Sequence, residues 1–340
     1  MIKNVAILGL GHIGKHIQYS LLGDERLAVT AFDLTTGHDL SDPGVLDTIA
    51  KANDAIIAAT PFFLNRPIAF ACYNHNTAYF DLTESNEVAQ YINNLHAKAP
   101  MVSQCGLAPG MVSIIASYMT QKFQEVKSIA IRVGALPKSP NNRMGYNLTW
   151  NTEGLINEYI HPCKAVVGGK LTLVSPLEDL ENVVINGVQL EAANTSGGIG
   201  SLAETWTGKC ESVTYKTLRY PGHWNHMKFL KDDLGLKENF QTYVDLFNKN
   251  VPITDLDRVF ILIKVTGVAD GRLQESVYSK VIERGDTGTA IQISTASGVL
   301  AVVDAWVKGH LDGLTGLVKQ EDIPFLPILR GRYSACYKGW

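Results

Sequence analysis

The chain has 340 residues, 46% of them hydrophobic and 19% charged, which is enough apolar material for large cores and too much length for a single ordinary one. Thirty basic against thirty-three acidic residues give a formal charge of −3, and no Lys/Arg cluster is suited to tracking a phosphate backbone, so nucleic acid is set aside as a partner. The five cysteines (Cys72, Cys105, Cys163, Cys210 and Cys336) are scattered without a CxxC pair, the pattern of reduced thiols rather than of a disulfide framework or a zinc site.

In chain order, a strand is expected over Val5–Leu8, directly after Lys3 and with no signal-peptide pattern ahead of it. No run approaches the ~20 apolar residues that span a bilayer, so no membrane partner is expected and the cytoplasm is the expected location. The sequons at Asn147 and Asn194 are then chance matches. The strand runs into Gly9-Leu10-Gly11-His12-Ile13-Gly14 and a helical segment. A helix that starts at such a turn leaves unpaired backbone N–H groups for an anion. Gly9 permits the tight turn, Gly11 lets a pyrophosphate approach, and Gly14 lets the helix pack on the sheet. A second apolar run, Leu27 to Phe32, ends in Asp33, 19 residues after Gly14, where an acidic side chain bonds the adenosine ribose. That carboxylate would repel a 2′-phosphate, and Leu34-Thr35-Thr36 bring no basic residue, so the expected cofactor is NAD. The alternative is a structural glycine turn with Asp33 capping a loop.

Further strands are expected at Ala28–Phe32, Asp54–Ala59, Thr77–Asp81 and Met101–Ser103, the βαβα rhythm of a parallel sheet. Ligands on such sheets lie beyond the strand C-termini, so Thr60-Pro61 and Asp81-Leu82-Thr83 should border the cofactor. After Pro109-Gly110, a turn into a helix reaching about Phe123, the rhythm changes. Val126–Leu136 and Lys164–Val174 read as strands, and Asp270-Gly271 joins Leu256–Ala269 to Leu273–Ile282 as a hairpin. A second domain on an open antiparallel sheet with helices on one face is expected. A helix over about Thr289–Gly309, rich in small residues, should return to the nucleotide domain or to the domain interface.

Four further blocks set reactive side chains on glycine-permitted turns: Cys105-Gly106-Leu107-Ala108-Pro109-Gly110, Trp150-Asn151-Thr152-Glu153-Gly154, Asn194-Thr195-Ser196-Gly197-Gly198, and Thr217-Leu218-Arg219-Tyr220-Pro221-Gly222-His223. With YFDLTE, the GALP segment at Gly134 to Pro137 and Glu158-Tyr159, they make nearly the whole chain resemble the saccharopine dehydrogenase-like family, and within it the shorter lysine 6-dehydrogenases. The resemblance implies a Rossmann domain, a second α+β domain on a mixed, largely antiparallel sheet, and hydride transfer between nicotinamide and a carbon bearing nitrogen. For a lysine 6-dehydrogenase, L-lysine and NAD give allysine, ammonia and NADH, and the aldehyde cyclises to piperideine-6-carboxylate. Amino-acid metabolism and a homo-oligomer, a dimer, are further expectations. Thr152 stands where the family often has Ser, and Asn141-Asn142-Arg143-Met144 is unusually polar after GALP; these departures bear on the substrate rather than the fold. The expected domains are 1–115 with 289–340, and 116–288.

Within that frame the dinucleotide is expected on Gly9, Gly11, His12, Ile13, Gly14, Asp33, Thr60, Pro61, Asp81, Thr83, Cys105 and Gly106. The substrate is expected on Asp81, Trp150, Glu153, Thr195, Ser196, Gly197, Arg219 and Tyr220. Arg219 would hold the substrate carboxylate in a planar pair, or else a structural salt bridge. His223, with an unperturbed pKa near 6.5, would take or relay a proton, or else bond backbone at a helix start. A nearby cleft between the domains is expected to join these sets. His223 and His226 alone do not make a metal site, which usually needs a third ligand. Two rival readings stay open: saccharopine or a carboxynorspermidine-type substrate at an imine, with Arg132, Arg143 and Lys216 available to extra carboxylates, and a non-catalytic NAD-binding regulator.

Overall fold

In the computed structural model, residues 2–339 are described, and the chain divides into two compact units. One comprises residues 2–115 with Gln292–Lys338; the other is Ala116–Ile291 with Gly339.

The first unit is built as β1 (Lys3–Leu8), α1 (His12–Leu21), β2 (Leu27–Phe32), α2 (Pro43–Ala52), β3 (Ala55–Ala58), α3 (Asn65–His75), β4 (Ala78–Asp81), α4 (Asn86–Leu95) and β5 (Pro100–Val102). With β14 (Gly316–Leu317) from the C-terminal segment, the six-stranded sheet has the order β14-β5-β4-β3-β1-β2 and is parallel throughout. The apolar runs of β1, β3 and β4 are buried along their length, as strands covered on both faces must be. β1 lies between β2 and β3, so the strand order reverses there, and doubly wound sheets bind ligands beyond the strand ends at such a point.

The chain continues through α5 (Met111–Thr120) into the second unit: β6 (Glu125–Pro137), α6 (Thr152–Ile160), β7 (Cys163–Val167), β8 (Lys170–Val174), β9 (Glu181–Ile185), β10 (Val188–Asn194), α7 (Leu202–Trp206), β11 (Ser212–Arg219), α8 (His223–Asp232), α9 (Phe240–Asn250), β12 (Asp257–Ala269) and β13 (Arg272–Glu283). Its sheet runs β13-β12-β6-β11-β10-β9, with β7 on β11 and β8 on β7. All pairs are antiparallel except β11 with β6, so the sheet is mixed. The segment expected as one strand over Lys164–Val174 is a hairpin, because Gly168 and Gly169 both take positive φ and fold β8 back on β7. The Asp270-Gly271 hairpin forms with φ of 52° and 71°, the left-handed pair a two-residue turn requires. α6, α8 and α9 cover part of the sheet through Leu155, Tyr159, Trp224, Met227, Tyr243 and Phe247.

α10 (Ala290–Val307), β14 (Gly316–Leu317) and α11 (Phe325–Leu329) complete the chain. A Cβ on Gly298 would lie 2.2 Å from the Gly106 carbonyl, so the small residues of α10 serve close packing against the Cys105-Gly106 turn. Tyr337 Oη donates to Ser294 O (2.6 Å), and Tyr333 Oη to the buried Asp24 carboxylate (2.7 Å), tying down the C-terminal segment. α10 departs from the expected absence of a membrane-length apolar run: by length and composition it is long and apolar enough to cross a bilayer, and 61% of it is buried within the protein.

Candidate functional site

In the first unit the glycines divide their work as the fingerprint requires. Gly9 has φ 90°, and a Cβ there would stand 2.6 Å from Ala59 O at the end of β3. A Cβ on Gly14 would meet Gly9 O at 1.9 Å, so only glycine lets α1 pack on this turn. Gly11 is different: it is exposed, has an ordinary extended backbone (φ −67°, ψ −168°), and none of the described residues lies within 4 Å of its Cβ position. The protein does not need glycine there for itself, which marks a place kept open for a ligand. As the N-cap of α1, Gly11 offers no side-chain bond, and the first turn carries no acidic residue. The orphan amides beginning at exposed His12 and half-buried Ile13 therefore remain for an anion.

Asp33 ends β2 beside this turn. Its Oδ2 accepts from Leu10 N (2.9 Å), and its Oδ1 from Thr35 N and Oγ1 (each 2.9 Å). The Leu10 bond, then those from Thr35, holds the carboxyl below the usual range. Thr60, whose Cγ2 lies 3.2 Å from the Gly9 Cβ position, completes the group and donates through Oγ1 to Asn65 (3.1 Å), while Pro61 is exposed. The residues present fit a dinucleotide: an open cradle, free helix amides and an ionised carboxylate at the second strand end.

The β4 and β5 loop ends depart from the expected contacts. Asp81 is fully buried and accepts from Tyr79 Oη (2.9 Å), Thr83 N (3.1 Å), Ser103 Oγ (2.9 Å) and Gln104 N (2.8 Å). Burial pushes its pKa up to about 6 against those bonds. Four internal donors already occupy this carboxylate, so Asp81 fastens β4 to the β5 loop rather than binding ribose or substrate. Thr83 is likewise buried, with Oγ1 accepting from Ser85 N. Cys105 is 1% exposed, its Sγ donates to Asp81 O (3.1 Å), and burial raises its thiol pKa well above normal, so the sulfur is a neutral, internally bonded thiol rather than a thiolate. Gly106 instead carries the α10 crossing described above.

In the second unit, the RYPGH block and α6 assemble one buried polar cluster. Arg219, at the end of β11, is 2% exposed; its guanidinium lies 4.8 Å from the Tyr146 ring centre, 5.7 Å from Trp224 and 5.9 Å from Tyr159. Nε donates to Tyr159 Oη (3.1 Å) and Nη1 to Leu218 O (3.0 Å). His223 is wholly buried at the start of α8, with Nδ1 2.9 Å from Met144 O and Nε2 3.1 Å from Tyr159 Oη. A carbonyl only accepts, so Nδ1 carries the proton and Nε2 accepts from the tyrosine. Burial, then the nearby Arg219 charge, pushes the His223 pKa down to about 3. This corrects its expected acid–base role: neither nitrogen is free, and the ring stays neutral far below neutrality. His223 orients Tyr159, and Tyr159 orients Arg219.

Four expected substrate contacts are otherwise engaged. Tyr220 Oη donates to Pro137 O (2.9 Å) and accepts from Arg258 (3.0 Å). Trp150 packs over Gly154, whose Cβ would stand 2.5 Å from the indole, and Glu153 is exposed in the first turn of α6, where its charge suits the helix dipole. The single proton of Ser196 Oγ goes to Asn157 O (3.2 Å). Thr195 differs, because its hydroxyl and that of Thr217 share one bond (2.6 Å), leaving one proton of the pair for another acceptor. Gly197 takes φ 94°, which lets the loop place Ser196 N on Glu158 O (3.1 Å).

Glu158 and Tyr146 belong to this cluster and were absent from the expected sites. Glu158 sits on the apolar face of α6 with Thr152, Leu155, Ile156 and Tyr159. A carboxylate on that stripe was the signal. Arg132 and Lys216, in contrast, are neutralised internally: Arg132 pairs with both oxygens of Glu181 (2.8 Å each), and Lys216 Nζ meets Asp179 and Glu181 (2.6 Å each). Arg143 is exposed.

Residues 106–332 match the saccharopine dehydrogenase C-terminal domain family. The chain is 22% identical, over 94% of its length, to the mitochondrial alpha-aminoadipic semialdehyde synthase of Rattus norvegicus, of which it spans 38%. It is 22% identical, over 84% of its length, to the NADP(+), L-glutamate-forming saccharopine dehydrogenase of Saccharomyces cerevisiae, of which it spans 69%. Among solved structures, the apo L-Glu-forming saccharopine dehydrogenase from Saccharomyces cerevisiae is similar with a TM-score of 0.74 at 18% identity, covering 96% of both chains. The homospermidine synthase of Legionella pneumophila, in complex with NAD, is similar with a TM-score of 0.66 at 13% identity, covering 100% of this chain and 90% of that one. These structural likenesses show the fold: a Rossmann-like parallel sheet and a mixed, mostly antiparallel one. By the match over two thirds of its length, the chain belongs to the saccharopine dehydrogenase family.

Proposed function

We propose that the protein is an NAD-dependent oxidoreductase acting on a carbon–nitrogen bond of an amino acid, with saccharopine as the first substrate to test. The observation that carries the reading is the cradle at β1, where Gly9 and Gly14 are required by the fold and Gly11 is not. Family membership directs the chemistry to a carbon–nitrogen bond. Asp33, with no basic residue in Leu34-Thr35-Thr36, supports NAD over NADP through repulsion of a 2′-phosphate. The relatives differ on this point: the yeast enzyme is named for NADP and the Legionella structure holds NAD.

When bound, the nicotinamide exchanges a hydride with the carbon that bears nitrogen. The chain's own residues would do the rest. Gly11 and the α1 amides would hold the pyrophosphate, Asp33 the adenosine ribose, and Arg219 the substrate carboxylate, with Tyr159 and His223 fixing the guanidinium. Lysine, deaminated at the ε-carbon, is the second reading. One observation favours it: Arg132 and Lys216 are matched by Glu181 and Asp179, leaving them no charge for the additional carboxylates of saccharopine. A spectrophotometric screen of NADH and NADPH formation with saccharopine, L-lysine and a carboxylated polyamine tests both; turnover with none of them would refute the proposed activity.

A further inference from the structure

The ion pairs of the second unit fall into two kinds. Arg132 closes on Glu181 with two bonds of 2.8 Å, the fork-to-carboxylate fit of a structural pair. Arg219 and Glu158 do not close. Nη2 stands 3.8 Å from Glu158 Oε2, beyond hydrogen-bond reach, and among the described residues Oε2 has no other partner although Glu158 is only 9% exposed. Leaving a buried carboxylate oxygen unbonded is costly, so an unfilled pair calls for an explanation.

Both partners are held where they are. Arg219 is fixed by Tyr159 Oη, Leu218 O and three aromatic rings, while the α6 backbone at Glu158 is fixed by Ser196 N on its carbonyl. Burial pushes the Glu158 pKa up to about 7, with Arg219 holding it lower than burial alone would, as expected for a carboxylate whose bonds are not supplied by the protein. The arrangement presents one guanidinium with an unused nitrogen and one carboxylate with an unused oxygen, side by side.

We propose that Arg219 and Glu158 form a receptor for an α-amino-acid head group, the guanidinium taking the carboxylate and Glu158 taking the α-ammonium. An α-amino acid carries these complementary charges on one carbon, and its ammonium supplies the donors that Glu158 lacks. The inference rests on the reading above that Arg219 holds the substrate carboxylate. It makes Glu158 a specificity-determining residue: the substrate must have a free α-amine, while the reacting nitrogen lies elsewhere on the molecule.

Three small molecules separate the two contacts. L-Lysine has both head-group charges, 6-aminohexanoate lacks the α-amine, and cadaverine lacks the carboxylate. Their binding to the full-length protein in the presence of NAD is measured by calorimetry for the wild type, Glu158→Gln and Arg219→Gln. The wild type should bind lysine at least tenfold more tightly than either analogue. Glu158→Gln should bring lysine and 6-aminohexanoate within about twofold of each other while cadaverine stays weaker than lysine. Arg219→Gln should remove the preference over cadaverine instead. Equal weakening of lysine and 6-aminohexanoate by Glu158→Gln would mean that Glu158 only supports the fold, and would overturn the inference. Should that variant fail to fold, the wild-type comparison still decides, because no preference for lysine over 6-aminohexanoate also overturns it. If Arg219→Gln keeps the preference for lysine over cadaverine while the Glu158 result holds, the reading of Arg219 is what fails.

Discussion

Two glycines three residues apart give opposite predictions when a side chain is added. At Gly14 a new Cβ would sit 1.9 Å from Gly9 O, a backbone atom that can yield only if α1 or the turn shifts. Gly14→Ala should therefore cost the fold about 1–3 kcal/mol, the range for overpacking a tight contact. At Gly11 the same atom meets none of the described residues within 4 Å, and the backbone is already one that any residue adopts. Gly11→Val should then cost only what a poorer N-cap costs, about 1 kcal/mol or less. If the open space belongs to a pyrophosphate, however, the valine occupies it, and NAD affinity should fall at least tenfold, about 1.4 kcal/mol. Urea denaturation gives the stability of each variant and calorimetric titration with NAD gives the affinity. A Gly11→Val protein that binds NAD like the wild type would refute the argument, as would a Gly14→Ala protein of undiminished stability.

The remaining predictions concern carboxylates and one histidine. Asp33→Asn should narrow the preference for NAD over NADP in steady-state kinetics, since it removes the charge that opposes a 2′-phosphate while keeping an oxygen for Leu10 N; an unchanged ratio would remove Asp33 from cofactor choice. Asp81→Asn should destabilise the protein by about 1–3 kcal/mol, because its amide would turn donors toward groups that already donate, and thermal unfolding checks it. For His223 the folded pKa of about 3 lies below the ordinary 6.5, so between these values the unfolded chain binds the proton and the folded one does not. Stability is therefore fully present above about pH 6.5 and is lost as the pH falls, by roughly 3 kcal/mol at pH 4 from this residue alone. Asp81 and Glu158, whose carboxyls are pushed up to about 6 and about 7 in the fold, contribute in the opposite sense over this range, so the histidine shows as the difference: denaturant titrations from pH 7 to pH 4 should have the wild type losing stability relative to His223→Gln as the pH falls.

The sequence exposed the parts of this fold that depend on local rules. Val5–Leu8 followed by glycines, Asp33 at the end of the next apolar run, and Asp270-Gly271 between two long runs are each set by backbone geometry within a few residues, and each formed as expected. Lys164–Val174 departs from a single strand because Gly168-Gly169, both at positive φ, make a turn inside it. The site was less legible because its chemistry depends on burial. His223, Asp81 and Cys105 carry the right reactive groups near the right motifs, yet all three are enclosed and bonded internally, which no spacing reveals. Glu158 shows the converse. A carboxylate beside Leu155 and Tyr159 on one helix face looks like an exception to amphipathic pattern, and only the distance to Arg219, across 60 residues of chain, gives it a role.

The central claim, hydride exchange between NAD and a carbon bearing nitrogen, is tested most directly with isotope. Saccharopine and L-lysine, each deuterated at every carbon that bears nitrogen, are incubated with the protein and NAD, and the reduced cofactor is examined by mass spectrometry. The account predicts one deuterium in the reduced cofactor with at least one of the two substrates. Reduced cofactor without label, or none formed from either, would contradict it.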